Sequence, residues 1–195
     1  MRNYKIIIEY DGTHFSGWQT QPGKRTVQET IQQVLGQITR QKVHVTGASR
    51  TDAGVHALGQ VANVRLPHAM EPYKLLGALN GLLPDDVSVQ SVQEVPASFH
   101  AIRNAKKKTY CYLIWNSKIP SPFLKNRAWQ VREPLNAVAM KKAVSFLKGR
   151  HDFSAFRGAQ SETKTSVREI FELGISPLVP PLYKGGVGGG YVRIT

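Results

Sequence analysis

Val43-His44-Val45-Thr46-Gly47-Ala48-Ser49-Arg50-Thr51-Asp52-Ala53-Gly54-Val55-His56-Ala57 decides how the chain is read. Val43–Gly47 alternates like a short strand, and Ser49–His56 is a compact polar loop. Gln60–Leu66 then leaves as the next strand. Outward from there, Tyr4–Tyr10 reads as a strand ended by the turn dipeptide Asp11-Gly12. Thr26-Val27-Gln28-Glu29 has the form of a capping box, with Val27, Ile31, Val34, Leu35 and Ile38 following at helical spacing. A helix is expected over Pro72–Leu82, with proline at its start where a missing N–H costs little, and a strand over Val87–Val95.

The pattern then repeats in kind. Lys107–Trp115 is strand-like, Leu135–Leu147 is helical with Gly149 placed to end it, and Ser166–Ile175 is again a strand. Strand, helix and strand mix in both halves, so the fold class is α+β with a sheet in each half. The expected division is 1–102 and 103–195. Within the second half, 177–190 is an irregular Pro/Gly-rich stretch between strands, and 191–195 alternates like the start of a strand.

At 195 residues the chain suits one generous domain or two small halves sharing a cleft. Its 41% apolar and 20% charged residues are those of a soluble globular protein. The charge balance is less ordinary: 26 Lys and Arg stand against 13 Asp and Glu, for a net +13. Such an excess points to a polyanionic partner, because neutralising phosphates releases counterions. Cys111 is the sole cysteine, which excludes a disulfide framework and a thiolate zinc site. No stretch approaches the ~20 apolar residues of a membrane span, and the N-terminal apolar run is short for a signal peptide. The cytoplasm is the expected location.

Two segments could carry chemistry. If the chain stays extended at Arg50-Thr51-Asp52, the guanidinium and the carboxylate share a side, and the cation favours an ionised Asp52. Such a carboxylate can serve as nucleophile or general base. On residue types alone, a plain surface turn with an Arg–Asp salt bridge explains the segment better. The second segment is Arg103-Asn104-Ala105-Lys106-Lys107-Lys108-Thr109-Tyr110-Cys111-Tyr112. Cations leading into a strand with Tyr110 and Tyr112 on one face are the ingredients of RNA recognition. A solvated lysine run before a core strand is the alternative. The sequence holds no nucleotide-binding loop, no zinc-peptidase motif and no nucleophile elbow, and the six histidines have no ligand spacing. Neither metal nor cofactor is expected.

Taken together, several segments resemble the A-type pseudouridine synthases of tRNA. They are Tyr10-Asp11-Gly12, Phe15-Ser16-Gly17-Trp18-Gln19, Thr26-Val27-Gln28, Arg50–Ala57 with Gly59-Gln60-Val61, Phe99-His100-Ala101, Tyr110-Cys111-Tyr112, and His151-Asp152-Phe153-Ser154-Ala155-Phe156-Arg157. The likeness runs in order from Tyr10 to about Ile170, and Arg-Thr-Asp-Ala-Gly-Val-His-Ala is highly specific to that family. The resemblance implies isomerisation of uridine to pseudouridine on the 3′ side of the tRNA anticodon arm, without cofactor or metal. It implies a site in the cleft between two sheet-plus-helix halves and a homodimer that grips tRNA with a basic surface. It places Asp52 on the catalytic aspartate with Arg50 beside it, and Tyr110 on the tyrosine that stacks against the target base. Lys106, Lys107 and Lys108 join the RNA surface, as do Arg157 and Arg168, which match basic positions. Trp18 is read as packing under the loop, and His56 as supporting it by hydrogen bonding.

There are departures from the family pattern. Ile102 stands where the family commonly has arginine, with Arg103 one place later. The family also continues past the strand at 191–195 into a helix with a Met-Val-Arg motif, whose arginine reaches the aspartate. The methionines here are Met1, Met70 and Met140, so the second half is expected to be incomplete. Three readings follow: an active isomerase, a weakly active or inactive tRNA-binding remnant, and a generic basic RNA-binding module.

Overall fold

The computed structural model describes residues 1–158, 165–178 and 189–194. The chain is α+β and divides into two units, 1–106 and 107–195. The division falls within the lysine run, a few residues beyond the expected 102/103. The segment after the fourth strand is sewn into the first unit, and Asn104 extends it past residue 102: its N–H donates to the His100 carbonyl at 2.9 Å, and its Oδ1 accepts from the His100 N–H at 2.8 Å. The Asn3 amide donates to the carbonyls of Pro96 (3.0 Å) and Phe99 (2.9 Å), and the Ala101 N–H donates to Asn63 at 2.9 Å. Asn63 donates in turn to Asn3 at 3.2 Å. Both asparagines are buried, so this amide network supplies the partners that buried polar groups require.

The first unit begins with β1 (Arg2–Tyr10), which alternation buries on one face: Tyr4, Ile6, Ile8 and Tyr10 all point into the core. Helix α1 (Val27–Thr39) and strand β2 (Val45–Gly47) follow. Next come β3 (Ala57–Leu66), α2 (Pro72–Leu82) and β4 (Val87–Val95). The four strands form one antiparallel sheet in the order β2-β3-β1-β4. Ile31, Val34 and Leu35 of α1 and Leu75 and Leu79 of α2 complete the core against it.

The start of α1 differs from the expected capping box. The Thr26 side chain makes no capping hydrogen bond, and its hydroxyl is buried without a partner among the described residues. Backbone acceptors have taken that role: the N–H groups of Val27 and Gln28 donate to the carbonyls of Gly17 (3.2 Å) and Trp18 (3.0 Å). The helix entrance is thereby tied to the segment that precedes it.

The second unit contains β5 (Tyr110–Asn116), β6 (Trp129–Val131), α3 (Ala137–Ser145), β7 (Gly149–Asp152), β8 (Val167–Ile170), β9 (Leu173–Leu178) and β10 (Gly189–Ile194). One sheet has the order β6-β5-β10-β9, and β7 pairs with β8 as a separate hairpin. Two features depart from expectation. The strand read over Ser166–Ile175 is two strands serving different sheets, broken at Phe171 and Glu172. Strands β6 and β7, of three and four residues, were not anticipated. β9 and β10 pair antiparallel; of the 177–190 stretch between them, residues 179–188 lie outside the described residues, as does Thr195.

Charge is divided unevenly. Residues 1–106 carry eleven Lys and Arg against eight Asp and Glu, whereas 107–195 carry fifteen against five. The electrostatic footprint for a polyanion therefore lies mainly in the second unit.

Candidate active site

Asp52 lies on an exposed turn whose backbone is held from three sides. Its own carbonyl accepts from the Val55 N–H at 3.2 Å, which closes the turn, and Gly54 has φ +79°, the left-handed conformation that glycine adopts freely. The Trp18 N–H donates to the Thr51 carbonyl at 3.0 Å, and the Gly54 N–H donates to the Phe15 carbonyl at 3.2 Å. The hydroxyls of Tyr10 and Thr51 are 2.9 Å apart. Burial raises the Tyr10 phenol above its usual range, partly offset by hydrogen bonds with Thr51 and Gln60, so Tyr10 stands there as a neutral support.

Two glycines permit this close fit. Gly17 has φ +88°, and a Cβ there would stand 2.5 Å from the Thr51 carbonyl oxygen; Gly12 lies directly against the backbone of Val55. The buried indole of Trp18 lies against Gly47 beneath the start of the loop. Gln60, also buried, donates to the Ser49 carbonyl at 2.7 Å. His56 Nδ1 lies 3.1 Å from Asp11 Oδ1 and accepts from the Gly12 N–H at 3.2 Å. Gln28 holds the other flank, accepting from the Thr20 N–H (2.9 Å) and donating to the Val45 carbonyl (2.7 Å).

The backbone is thus clamped while the carboxylate is left open. Among the described residues Asp52 has no side-chain hydrogen bond or ion pair. The expected contact with Arg50 is absent as well: both side chains are exposed and neither bonds the other. Strand β2 ends at Gly47, and residues 50–52 are neither strand nor helix. The two-residue alternation that would have set the side chains together therefore does not apply.

In the second unit, Tyr110 and Tyr112 are more than half exposed at 51% and 58%, so neither is a core residue of that unit. Lys106, Lys107 and Lys108 form an exposed stretch across the junction of the two units. Arg168 lies opposite His151 in the β7–β8 hairpin. The His151, Phe153 and Phe156 rings form a chain of edge contacts at 6.0 and 5.9 Å, and Arg157 directly follows Phe156. Phe156 is 76% exposed, leaving an aromatic surface beside cations. Ile102, in the place of the expected arginine, is exposed too. Among the described residues no cluster of three metal-ligating side chains occurs. A shallow depression along α1, lined by Glu29, Gln33, Arg40 and Lys42, holds none of these residues.

Comparison with known proteins adds a second line of observation. The family model described as tRNA pseudouridine synthase matches residues 6–103, which include the whole clamped loop. A tRNA pseudouridine synthase A from Acetivibrio thermocellus is 49% identical over 175 residues, covering 90% of this chain and 72% of the relative. A protein of the same name from Thermoanaerobacter sp. is 46% identical with the same coverage. A tRNA pseudouridine synthase A 2 from Bacillus cereus is 43% identical over 174 residues, 89% of this chain and 71% of the relative.

Proposed function

The chain belongs to the tRNA pseudouridine synthase family, and from that premise we propose that it isomerises uridine on the 3′ side of the tRNA anticodon arm, with Asp52 as the reacting carboxylate. One observation carries the assignment of Asp52: it is an unpartnered carboxylate on a turn whose backbone is bonded at Thr51, Asp52 and Gly54. Structural carboxylates are normally consumed by partners, whereas a group meant for substrate is held in place and left open.

The chemistry requires breaking the bond from ribose C1′ to uracil N1 and forming one from C1′ to C5. The C5 hydrogen leaves and N1 gains a proton, so the reaction is balanced without oxidant, reductant or nucleotide. A carboxylate serves as nucleophile or as base in such a sequence. Arg50, two residues away and unpaired among the described residues, is proposed to meet charge that develops at the site or a flanking phosphate.

The base must leave its stack to be cut and turned, and Tyr110 is proposed as its aromatic wall. Lys106, Lys107 and Lys108, with Arg157 and Arg168, are proposed to follow the RNA backbone. Support comes from their exposure and from the cationic excess of the second unit. We also propose that the protein acts in the cytoplasm and as a pair of identical chains. No helix of the described residues is long and apolar enough to cross a membrane.

The test is tritium release from an unmodified tRNA transcript labelled at uridine C5, followed by mapping of the modified position. Release at the 3′ side of the anticodon arm supports the reading. Release elsewhere would reassign the position, and tRNA binding with no release would leave a tRNA-binding remnant.

A further inference from the structure

Behind the loop stands a pair that the reading of Asp52 does not itself use. Arg25, just before α1, donates from Nη1 to Asp86 Oδ2 at 2.6 Å and from Nη2 to Asp86 Oδ1 at 2.8 Å. Asp86 lies in the turn between α2 and β4. The same guanidinium lies over the buried Phe15 ring, 4.0 Å from its centroid. Two ends of one fork thus meet a carboxylate while its flat face meets an aromatic, a geometry that arginine supplies and lysine does not.

Each partner continues into the frame around Asp52. The Ser16 N–H donates to the Arg25 carbonyl at 2.8 Å, and the carbonyl of Phe15 receives the Gly54 N–H. The Asp86 carbonyl accepts from the Asp11 N–H at 3.0 Å. The Asp11 carboxylate accepts from the Thr13 N–H (3.0 Å) and hydroxyl (2.5 Å), and it lies beside His56 at the far end of the loop. Residues 11–18 therefore have the Arg25–Asp86 pair on one side and the Asp52 loop on the other.

We propose that Arg25 and Asp86 are positioning residues for the uridine isomerisation, setting the placement of the Asp52 loop through Phe15 and Asp11. This rests on Asp52 being the reacting carboxylate. The pair lies at the surface, partly exposed, and ion pairs there contribute little to stability, so loss of this pair leaves the sheet and helices intact. A reacting group displaced by about an ångström, by contrast, loses on the order of a hundredfold in rate. Arg25 contacts Asp86 and the Phe15 ring and bonds neither Asp52 nor Arg50; its effect passes through the backbone of 15–18.

The experiment uses the full chain and an unmodified tRNA transcript, comparing Arg25→Ala, Arg25→Lys, Asp86→Ala and the Arg25→Ala/Asp86→Ala double variant. Single-turnover tritium release is measured at saturating enzyme, together with tRNA affinity, melting temperature and hydrogen exchange at the Gly54 amide. We expect a tenfold or greater fall in single-turnover rate for Arg25→Ala with tRNA affinity within twofold. Arg25→Lys should recover only part of the rate, the double variant should be no slower than the slower single, and Gly54 should exchange faster. Rates within twofold of wild type in both alanine variants overturn the proposal. So does a rate loss that scales with unfolded fraction while Gly54 exchange in the folded protein is unchanged. An Asp52→Asn control separates the two levels: if that variant turns over normally, the reading of Asp52 itself fails. If it is inert while Arg25→Ala is unaffected, only the positioning role falls.

Discussion

Gly12 leaves no room for a side chain beneath the carbonyl of Val55: a Cβ on residue 12 would collide with the backbone of the turn that carries Asp52. Glycine is required here by close approach, since the Gly12 backbone does not lie in the left-handed region. Gly12→Ala should therefore push the turn outward. Overpacking of this kind costs about 1–3 kcal/mol, read as a shift in urea midpoint, and the loss of single-turnover activity should be larger than the loss of stability. Wild-type activity in a destabilised Gly12→Ala protein would show that the turn tolerates displacement.

Asp52→Asn keeps the shape of the side chain and removes its charge. Because the carboxylate bonds no neighbour among the described residues, the melting temperature should stay within a degree or so, as expected for an exposed substitution within about 0.5 kcal/mol. Pseudouridine formation should be lost while tRNA affinity is preserved. Turnover within tenfold of wild type, about 1.4 kcal/mol in barrier, would falsify the assignment.

Tyr110 and the lysine run should separate by their response to salt. Tyr110→Ala is expected to lose roughly 1–3 kcal/mol of tRNA affinity, the worth of one stacked base, and Tyr110→Phe nearly none. Neutralising Lys106, Lys107 and Lys108 together should flatten the slope of log affinity against log salt by about two to three units, roughly one for each phosphate that is no longer neutralised. An unchanged slope would return the lysines to a solvated surface.

Asp86 gives a pH signature of its own. The Arg25 hydrogen bonds hold its carboxyl below the usual range against the opposing effect of partial burial, with smaller help from the Arg25 and His14 charges and a backbone bond. A depressed folded value means that the stabilisation is present above the unfolded pKa, about 3.9, and is lost as pH falls through the folded one. Urea midpoints of wild type and Asp86→Asn should differ at pH 6–7 and converge below about pH 4. A gap that persists in acid would show that packing, rather than charge, holds the turn.

Regular elements of the first unit were legible because periodicity and punctuation agree there. Pro72–Leu82 has proline at its first position and Leu75 and Leu79 one turn apart, both fully buried, while Val87–Val95 lies between two loops. Thr26 misled because a capping box is a local signal, and the donors were claimed by the distant carbonyls of Gly17 and Trp18. Ser166–Ile175 reads as one strand, yet its two ends pair with different sheets, which no local pattern encodes. The role proposed for Asp52 is legible only through motif resemblance, since Asp-Ala-Gly is ordinary turn composition. What surrounds it was less visible. Arg25 and Asp86 are sixty-one positions apart, and nothing in either neighbourhood marks them as partners. Gly12 and Gly17 do carry a signal, one in a turn dipeptide and one before a tryptophan, but what they make room for is the distant backbone of Val55 and Thr51.

The sheet order β2-β3-β1-β4 has a consequence for how the protein is made. β1 is the first strand to be synthesised, yet it is central, and one of its two neighbours is β4, which begins at Val87. Asp52 is synthesised before the strand that closes the sheet and before Asp86, the carboxylate that braces Arg25. Pairing at such sequence separation is slow because a long loop must close before any pairing rewards it. A chain ending near residue 80 should therefore contain the whole Arg50–Ala57 motif and remain unable to hold it still; the turn that carries Asp52 settles only once the last stretch of the first unit is available.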